Sequence, residues 1–155
     1  MKIIQTDNPD FVIEEDTYPY TESREVLKGL DHWFTHPARA NKSNISNYSL
    51  DESIPGSLGH SFETKLKNGV FNFLKYKGEL ISFGGVYLEE DTNIARGAHR
   101  MMYSPYMDPK LNGSFSVYVM MRQVELAKSW NADQYTLTVN EANLRIIQFS
   151  QRRRA

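Results

Sequence analysis

The stretch from residue 70 to 104 constrains this chain more than any other, because it reads as three β-strands separated by two tight turns. Residues 70–76 and 79–89 are rich in aromatic and β-branched side chains, as half-buried strands are. The turn dipeptide Lys77-Gly78 joins them, and Asp91-Thr92-Asn93 leads into a third strand that begins near Ile94 and ends at Pro105. Strands this closely joined form an antiparallel meander, since a parallel neighbour needs a long crossover. Gly84-Gly85 interrupts the middle strand, where paired glycines predict a bulge or a close backbone approach.

Helices surround the meander in the sequence. Val117, Met120, Met121, Val124 and Ala127 recur at helical spacing between Gly113 and Asn131. Residues 21–34 place Val26, Leu27, Leu30, Trp33 and Phe34 on one helical face, with Thr21 as N-cap and Glu22 and Glu25 in the first turn. Residues 37–68 are rich in Asn, Ser and Gly and predict irregular structure with short helices around 41–48 or 61–67. An irregular stretch of that length is suited to lining a substrate site. Residues 134–139 alternate Tyr135, Leu137 and Val139 with threonines as a half-buried strand does, and Asn140 is placed to cap a last helix carrying Leu144, Ile146, Ile147 and Phe149. The expected order is strand, helix, irregular stretch, three strands, helix, strand, helix, an α/β arrangement in one domain over 1–155.

Composition narrows the function. A net charge of −1 gives no global footprint for DNA, RNA or an anionic membrane, so neither nucleic acid nor membrane is expected as a partner. The absence of cysteine excludes disulfides, thiolate metal sites and a cysteine nucleophile, and with no signal or anchor pattern the cytoplasm is the expected compartment. His32 and His36 have the spacing of a helical metal pair, but no glutamate follows His32 and Pro37 follows His36, so no metal is expected. The arginines at 152–154 read as a solvated helix end. Hydrolase, kinase and dehydrogenase signatures are missing.

Two segments carry a resemblance to a known family. The strand ending Arg100-Met101-Met102-Tyr103-Ser104-Pro105 leads through Lys110-Leu111-Asn112-Gly113-Ser114-Phe115 into a helix, and Val139-Asn140-Glu141-Ala142-Asn143 links a strand to the next helix. Over residues 70–152 the chain resembles the GNAT superfamily of acyl-CoA-dependent N-acetyltransferases. The resemblance implies a mostly antiparallel central sheet with a parallel pair, flanked by helices. It implies acetyl-CoA or another acyl-CoA as co-substrate, bound by Tyr103, Lys110, Asn112, Gly113, Ser114 and Asn143. A helix N-terminus offers unpaired N–H groups and a positive dipole end to a pyrophosphate, which is the chemistry such a loop needs. Asn140 and Asn143 equally serve as helix caps.

The implied reaction is direct attack of a primary amine, on a small molecule or a peptide, on the acyl thioester. It needs a base for the ammonium and a donor for the oxyanion. By family position the donor is the Tyr103 N–H, and His99, Glu89 and Glu90 are the candidate bases. Phe115 stands where the family has Gly or Ala, and Ser150 where it has a tyrosine acid, so Tyr103 and Tyr106 are alternative acids. These departures motivate the alternative of a non-catalytic GNAT-like domain that binds a ligand or protein. The two strands that close the family fold have no counterpart in the sequence, as in a truncated or short variant. The strand at 134–139 is then an open edge, and a homodimer is the expected way to cover it.

Overall fold

The computed structural model describes residues 1–35, 48–103 and 112–137. Six strands form one sheet in the order of the sequence: β1 (Lys2–Gln5), β2 (Phe11–Asp16), β3 (Val70–Tyr76), β4 (Glu79–Glu89), β5 (Ile94–Met102) and β6 (Gln134–Leu137). All neighbours pair antiparallel except β5 and β6, which run parallel from Ile94↔Gln134 to Gly97↔Leu137. The meander stands where the sequence puts it. Lys77 and Gly78 both take positive φ, 49° and 85°, which matches the turn twist to that of the flanking strands. The N-terminus differs from expectation: instead of one strand there are two, β1 and β2, folded into a hairpin.

Among the described residues three helices lie between β2 and β3: α1 (Thr21–Lys28), α2 (Asp31–Thr35) and α3 (Leu58–Glu63). The single helix expected over 21–34 is broken at Gly29, whose N–H turns back to Val26 O at 3.1 Å. Leu27, Leu30 and Trp33 are buried together on both sides of the break, so the apolar spacing runs through it unchanged. Thr21 is the first helical residue and not the cap. The N-cap is Tyr20, in left-handed conformation with no side-chain bond to the helix. Among the described residues α3 answers the expected short helices, a few residues early. Ser57 caps it by accepting the His60 N–H at 3.1 Å. Most of the 41–48 alternative lies outside the described residues.

Helix α4 (Asn112–Ser129) connects β5 to the parallel β6 and packs on the opposite face of the sheet from α1–α3. Strand alternation sorts the core accordingly. Phe71, Phe73, Phe83 and Met101 meet Tyr20, Leu27, Trp33, Leu58, Phe62 and Leu66 on one side. Phe11, Ile13, Leu74 and Ile81 meet Val119 on the other, and Val70, Val86 and Ala95 meet Ala127. Met121, expected inside, is 47% exposed. The inward stripe runs through Val119, Met120, Gln123 and Ala127 instead. Met102, at the end of β5, packs in the same cluster as Tyr118 and Val119, which brings the early turns of α4 back to the end of β5. The expected last helix, with Asn140, lies outside the described residues. No helix among the described residues is long and apolar enough to cross a membrane.

Candidate active site

The site is built around an irregularity in β5. Phe83 pairs with Met101 and Gly85 with Ala98, so two steps along β4 match three along β5. Of the bulge or close backbone approach expected at Gly84-Gly85, the bulge is on the other strand: His99 and Arg100 together face Gly84, and His99 takes a positive φ of 54°. The glycines answer to packing. A Cβ on Gly85 would stand 3.1 Å from both terminal methyls of Leu66 and 3.2 Å from Phe71, tighter than a well-packed core tolerates.

The segment ahead of β3 grips both bulge residues. The Tyr48 hydroxyl donates to Arg100 O at 3.0 Å, and Ser61 Oγ lies 2.7 Å from His99 Nε2. Ser61 is 1% exposed, and the Tyr48 ring crosses that of His99 edge-on at 6.4 Å. Gly59 sets the height of α3. Its N–H donates to Ser49 O at 2.9 Å, and a Cβ there would meet Leu50 O at 2.3 Å.

Tyr103 follows β5. Its ring stacks on Trp33 at 5.1 Å and 3°, and the ring of His32 stands edge-on to it at 5.5 Å. Its backbone N–H, expected to face an oxyanion, donates instead to Ile81 O at 2.9 Å, because the β4–β5 ladder continues past the last strand residue. That donor is engaged.

On the α4 side, Gln123 is buried and joins three strands. Its Nε2 donates to Gly85 O at 3.1 Å, and its Oε1 accepts the Tyr135 hydroxyl at 2.6 Å beside Gly97. Burial pushes the Tyr135 phenol up to about 12, against the opposing pull of the Arg100 charge. Burial weakens the hold of the Arg100 guanidinium on its proton, partly offset by Tyr135. Tyr135 therefore stays a neutral donor across the ordinary pH range. The β5–β6 pairing described ends at Gly97, beside this group and just before the bulge.

Other candidates from the sequence stand elsewhere. Glu89 closes β4 at the far end of the meander, where Arg96 donates to it at 2.9 and 3.2 Å and the Thr92 hydroxyl at 2.7 Å. The Arg96 and Thr92 hydrogen bonds hold its carboxyl below the usual range, which makes it a poor base. Glu90 lies in the adjoining turn, and at about 3.3 Å per residue both glutamates are roughly 15 Å along β5 from His99. Asn112, Gly113 and Ser114 form the first turn of α4, while Lys110, Tyr106, Asn143 and Ser150 lie outside the described residues. Ser61, Tyr48, Arg100, Gln123 and Tyr135 were not legible as site residues. The adjacent His99-Arg100 pair inside a strand was the one available signal.

No protein-family model and no curated protein sequence matches the chain. Solved structures do match. An aminoglycoside acetyltransferase from an uncultured soil metagenomic sample superposes with a TM-score of 0.59 at 9% identity, covering 94% of this chain and 88% of its own. An acetyltransferase of the GNAT family from Staphylococcus aureus Mu50 gives 0.59 at 14% identity, over 92% and 81%. A transcriptional regulator from Bacillus halodurans C-125 gives 0.57 at 17% identity, over 92% and 90%. Identities this low speak for the fold alone. The six-stranded sheet with its single parallel pair, helices on both faces and matches of this extent lead to one conclusion: the chain has the fold of the GNAT superfamily.

Proposed function

We propose that the protein transfers an acetyl or other acyl group from coenzyme A to a primary amine by direct attack, without a covalent enzyme intermediate. The observation that carries this reading is the coincidence at one end of the sheet of the β5 bulge and the start of α4. The backbone there fits an acyl-CoA: the first turn of α4, at Asn112, Gly113 and Ser114, offers N–H groups to a pyrophosphate. Lys110 and Asn143 are assigned to the same ligand by sequence position. When bound, the co-substrate supplies the activated thioester. His99 is the imidazole at the bulge, and we assign it to the reacting groups. A small-molecule acceptor is in keeping with the aminoglycoside acetyltransferases that share the fold, one of them in complex with sisomicin. A cytoplasmic location goes with this chemistry.

Acetyl-CoA is expected to stabilise the protein and free acetate to leave it unchanged. Ligand at 100 times its dissociation constant adds about 2.7 kcal/mol, a rise of roughly 5–10 °C in Tm for a domain of this size. Thiol release from acetyl-CoA with a panel of primary amines, beginning with aminoglycosides, tests the transfer itself. The engaged Tyr103 N–H favours a second reading, a GNAT-like domain that binds without transferring. A melting temperature flat across millimolar acetyl-CoA decides for that reading.

Among the described residues β6 pairs with β5 alone, and a homodimer that covers its other edge belongs to the proposal. Light scattering at micromolar concentration is expected to give twice the chain mass, and a monomer overturns it.

A further inference from the structure

We propose that the Asp7–Tyr118 hydrogen bond is a positioning contact for coenzyme A: through it the β1–β2 turn holds the start of α4 where its N–H groups meet the pyrophosphate. This rests on the acyl-CoA reading above. Tyr118 lies on α4 one turn beyond Ser114, and its hydroxyl donates to Asp7 Oδ1 at 2.8 Å. The two residues are 111 positions apart in the chain, so helix and turn meet through the fold alone. Burial and the bond to Asp7 push the Tyr118 phenol up, so it keeps its proton and remains the donor.

The turn is a fixed support. Thr6 Oγ1 accepts the Asn8 N–H at 3.2 Å and lies 2.7 Å from both Asn8 O and Phe11 O. Asn8 Oδ1 accepts the Asp10 N–H at 3.0 Å, and Asn8 O accepts the Phe11 N–H at 3.0 Å. Side-chain bonds of this kind hold a short turn in one conformation. The turn is also tied to the neighbouring hairpin, because the Lys77 N–H donates to Asp10 O at 2.7 Å. The Tyr118 ring stacks on Phe11 at 4.5 Å and 29°, and Phe11 in turn meets Tyr76 at 4.8 Å. Phe11 is buried, so the tyrosine ring rests on the sheet itself.

The rigidity of a helix carries the contact to the ligand. Tyr118 stands about 6 Å along the axis from Ser114, at 1.5 Å per residue, with unbroken helix between them. A displacement of the tyrosine therefore moves the first turn with it. The ring stack, with Met102 and Val119 in the same cluster, sets how near α4 lies to the sheet. Apolar contact has no direction, so by itself it leaves the helix free to slide and roll. A hydrogen bond has one, and Asp7 supplies it. Donors fixed before the ligand arrives lose less freedom on binding, which raises affinity. Asp7 and Tyr118 are positioning residues, acting through the helix.

Calorimetric titration with acetyl-CoA of the wild type, Tyr118→Phe, Asp7→Ala and the double variant tests this. Tyr118→Phe removes the hydroxyl and keeps the stack, and Asp7→Ala removes the acceptor. Each is expected to weaken acetyl-CoA about three- to tenfold, the range of one hydrogen bond. The double variant is expected to bind no more weakly than either single one, because both delete the same contact. Kinetics with the best acceptor of the amine panel separate positioning from chemistry: in Tyr118→Phe the loss is expected in KM for acetyl-CoA, with kcat within about twofold of wild type. Nitrogen-15 relaxation of the free protein reads the support without any ligand, and the backbone amides of Gly113 and Ser114 are expected to lose order in Tyr118→Phe. Single variants that bind as the wild type does or more tightly, losses that add in the double variant, a loss confined to kcat, or unchanged amide order each overturn the proposal. If the wild type fails to bind acetyl-CoA, the acyl-CoA reading falls and this inference with it, whereas variants that match a wild type that binds sink this inference alone.

Discussion

Replacing Arg122 with methionine is expected to destabilise the domain by about 3 kcal/mol, the usual cost of removing one partner from a buried ion pair. Glu15 points from β2 toward α4 and is 7% exposed, and Arg122 donates to its two oxygens from Nε and Nη2, at 2.9 Å each. Asn72 adds a third bond, Nδ2 to Oε1 at 2.7 Å. The methionine variant leaves a carboxylate inside with one neutral donor. Removing the carboxylate as well, in Glu15→Leu with Arg122→Met, is expected to recover only part of the loss. Asn72 is fully buried and its Oδ1 already has no partner among the described residues, so the double variant strands both ends of its amide. Adding Asn72→Val is expected to restore stability to within about 1 kcal/mol of wild type, because an apolar replacement of a whole polar group avoids the unpaired charge. Urea midpoints of the three variants check this. A single Arg122→Met that unfolds at the wild-type midpoint would show that water reaches Glu15.

Gly59→Ala is expected to cost about 3 kcal/mol and also to lower transfer activity more than its effect on Tm explains. The new Cβ would lie 2.3 Å from Leu50 O and 2.5 Å from Leu50 C, and backbone cannot yield as a side-chain tip does. Either α3 rises or the 48–50 segment retreats. Both movements pull on the bulge, since Ser61 rides on α3 and Tyr48 on the other side of the contact. The measurement is kcat for acetyl transfer well below the variant's Tm, with acetyl-CoA saturating. Unaltered kcat in a destabilised protein would separate the α3 contact from the site. As a control, Gly56→Ala takes a position with open space around it but a φ of 80°, so it is expected to cost about 1 kcal/mol and leave kcat alone.

The sequence disclosed what repeats along the chain and hid what depends on two distant segments meeting. The β3 and β4 boundaries follow from alternation and a two-residue turn, both local. Gly84-Gly85 led to the expectation of a bulge or a close backbone approach, yet the extra residue belongs to β5, because register is a property of a pair of strands. The break at Gly29 was invisible to periodicity, since Leu27, Leu30 and Trp33 keep their spacing across it. Met121 fitted the helical stripe as well as Met120 did. The stripe turned out to be centred on a glutamine, which pattern reading scores as surface and which burial with two bonded ends makes core. Ser61 carries no signal of its own in a stretch full of serines. It gains meaning only opposite His99, and that contact spans residues whose separation no local pattern records.

The order of strands across the sheet repeats their order along the chain, and this has a kinetic consequence. β3, β4 and β5 close on one another through turns of a few residues, so their pairing carries little loop entropy and can form early. The β2–β3 pairing is different, because everything from Thr17 to Gly69 must be looped out before it forms. That loop holds α1, α2, α3 and the Ser61 contact. The meander can therefore stand as a template before the helical cover arrives, and the grip on the bulge belongs to the pairing that closes the longest loop among the described strands. Once docked, the cover is held by the fully buried Leu58, Phe62 and Leu66, so opening the site from this side means breaking the core that the cover shares with the strands.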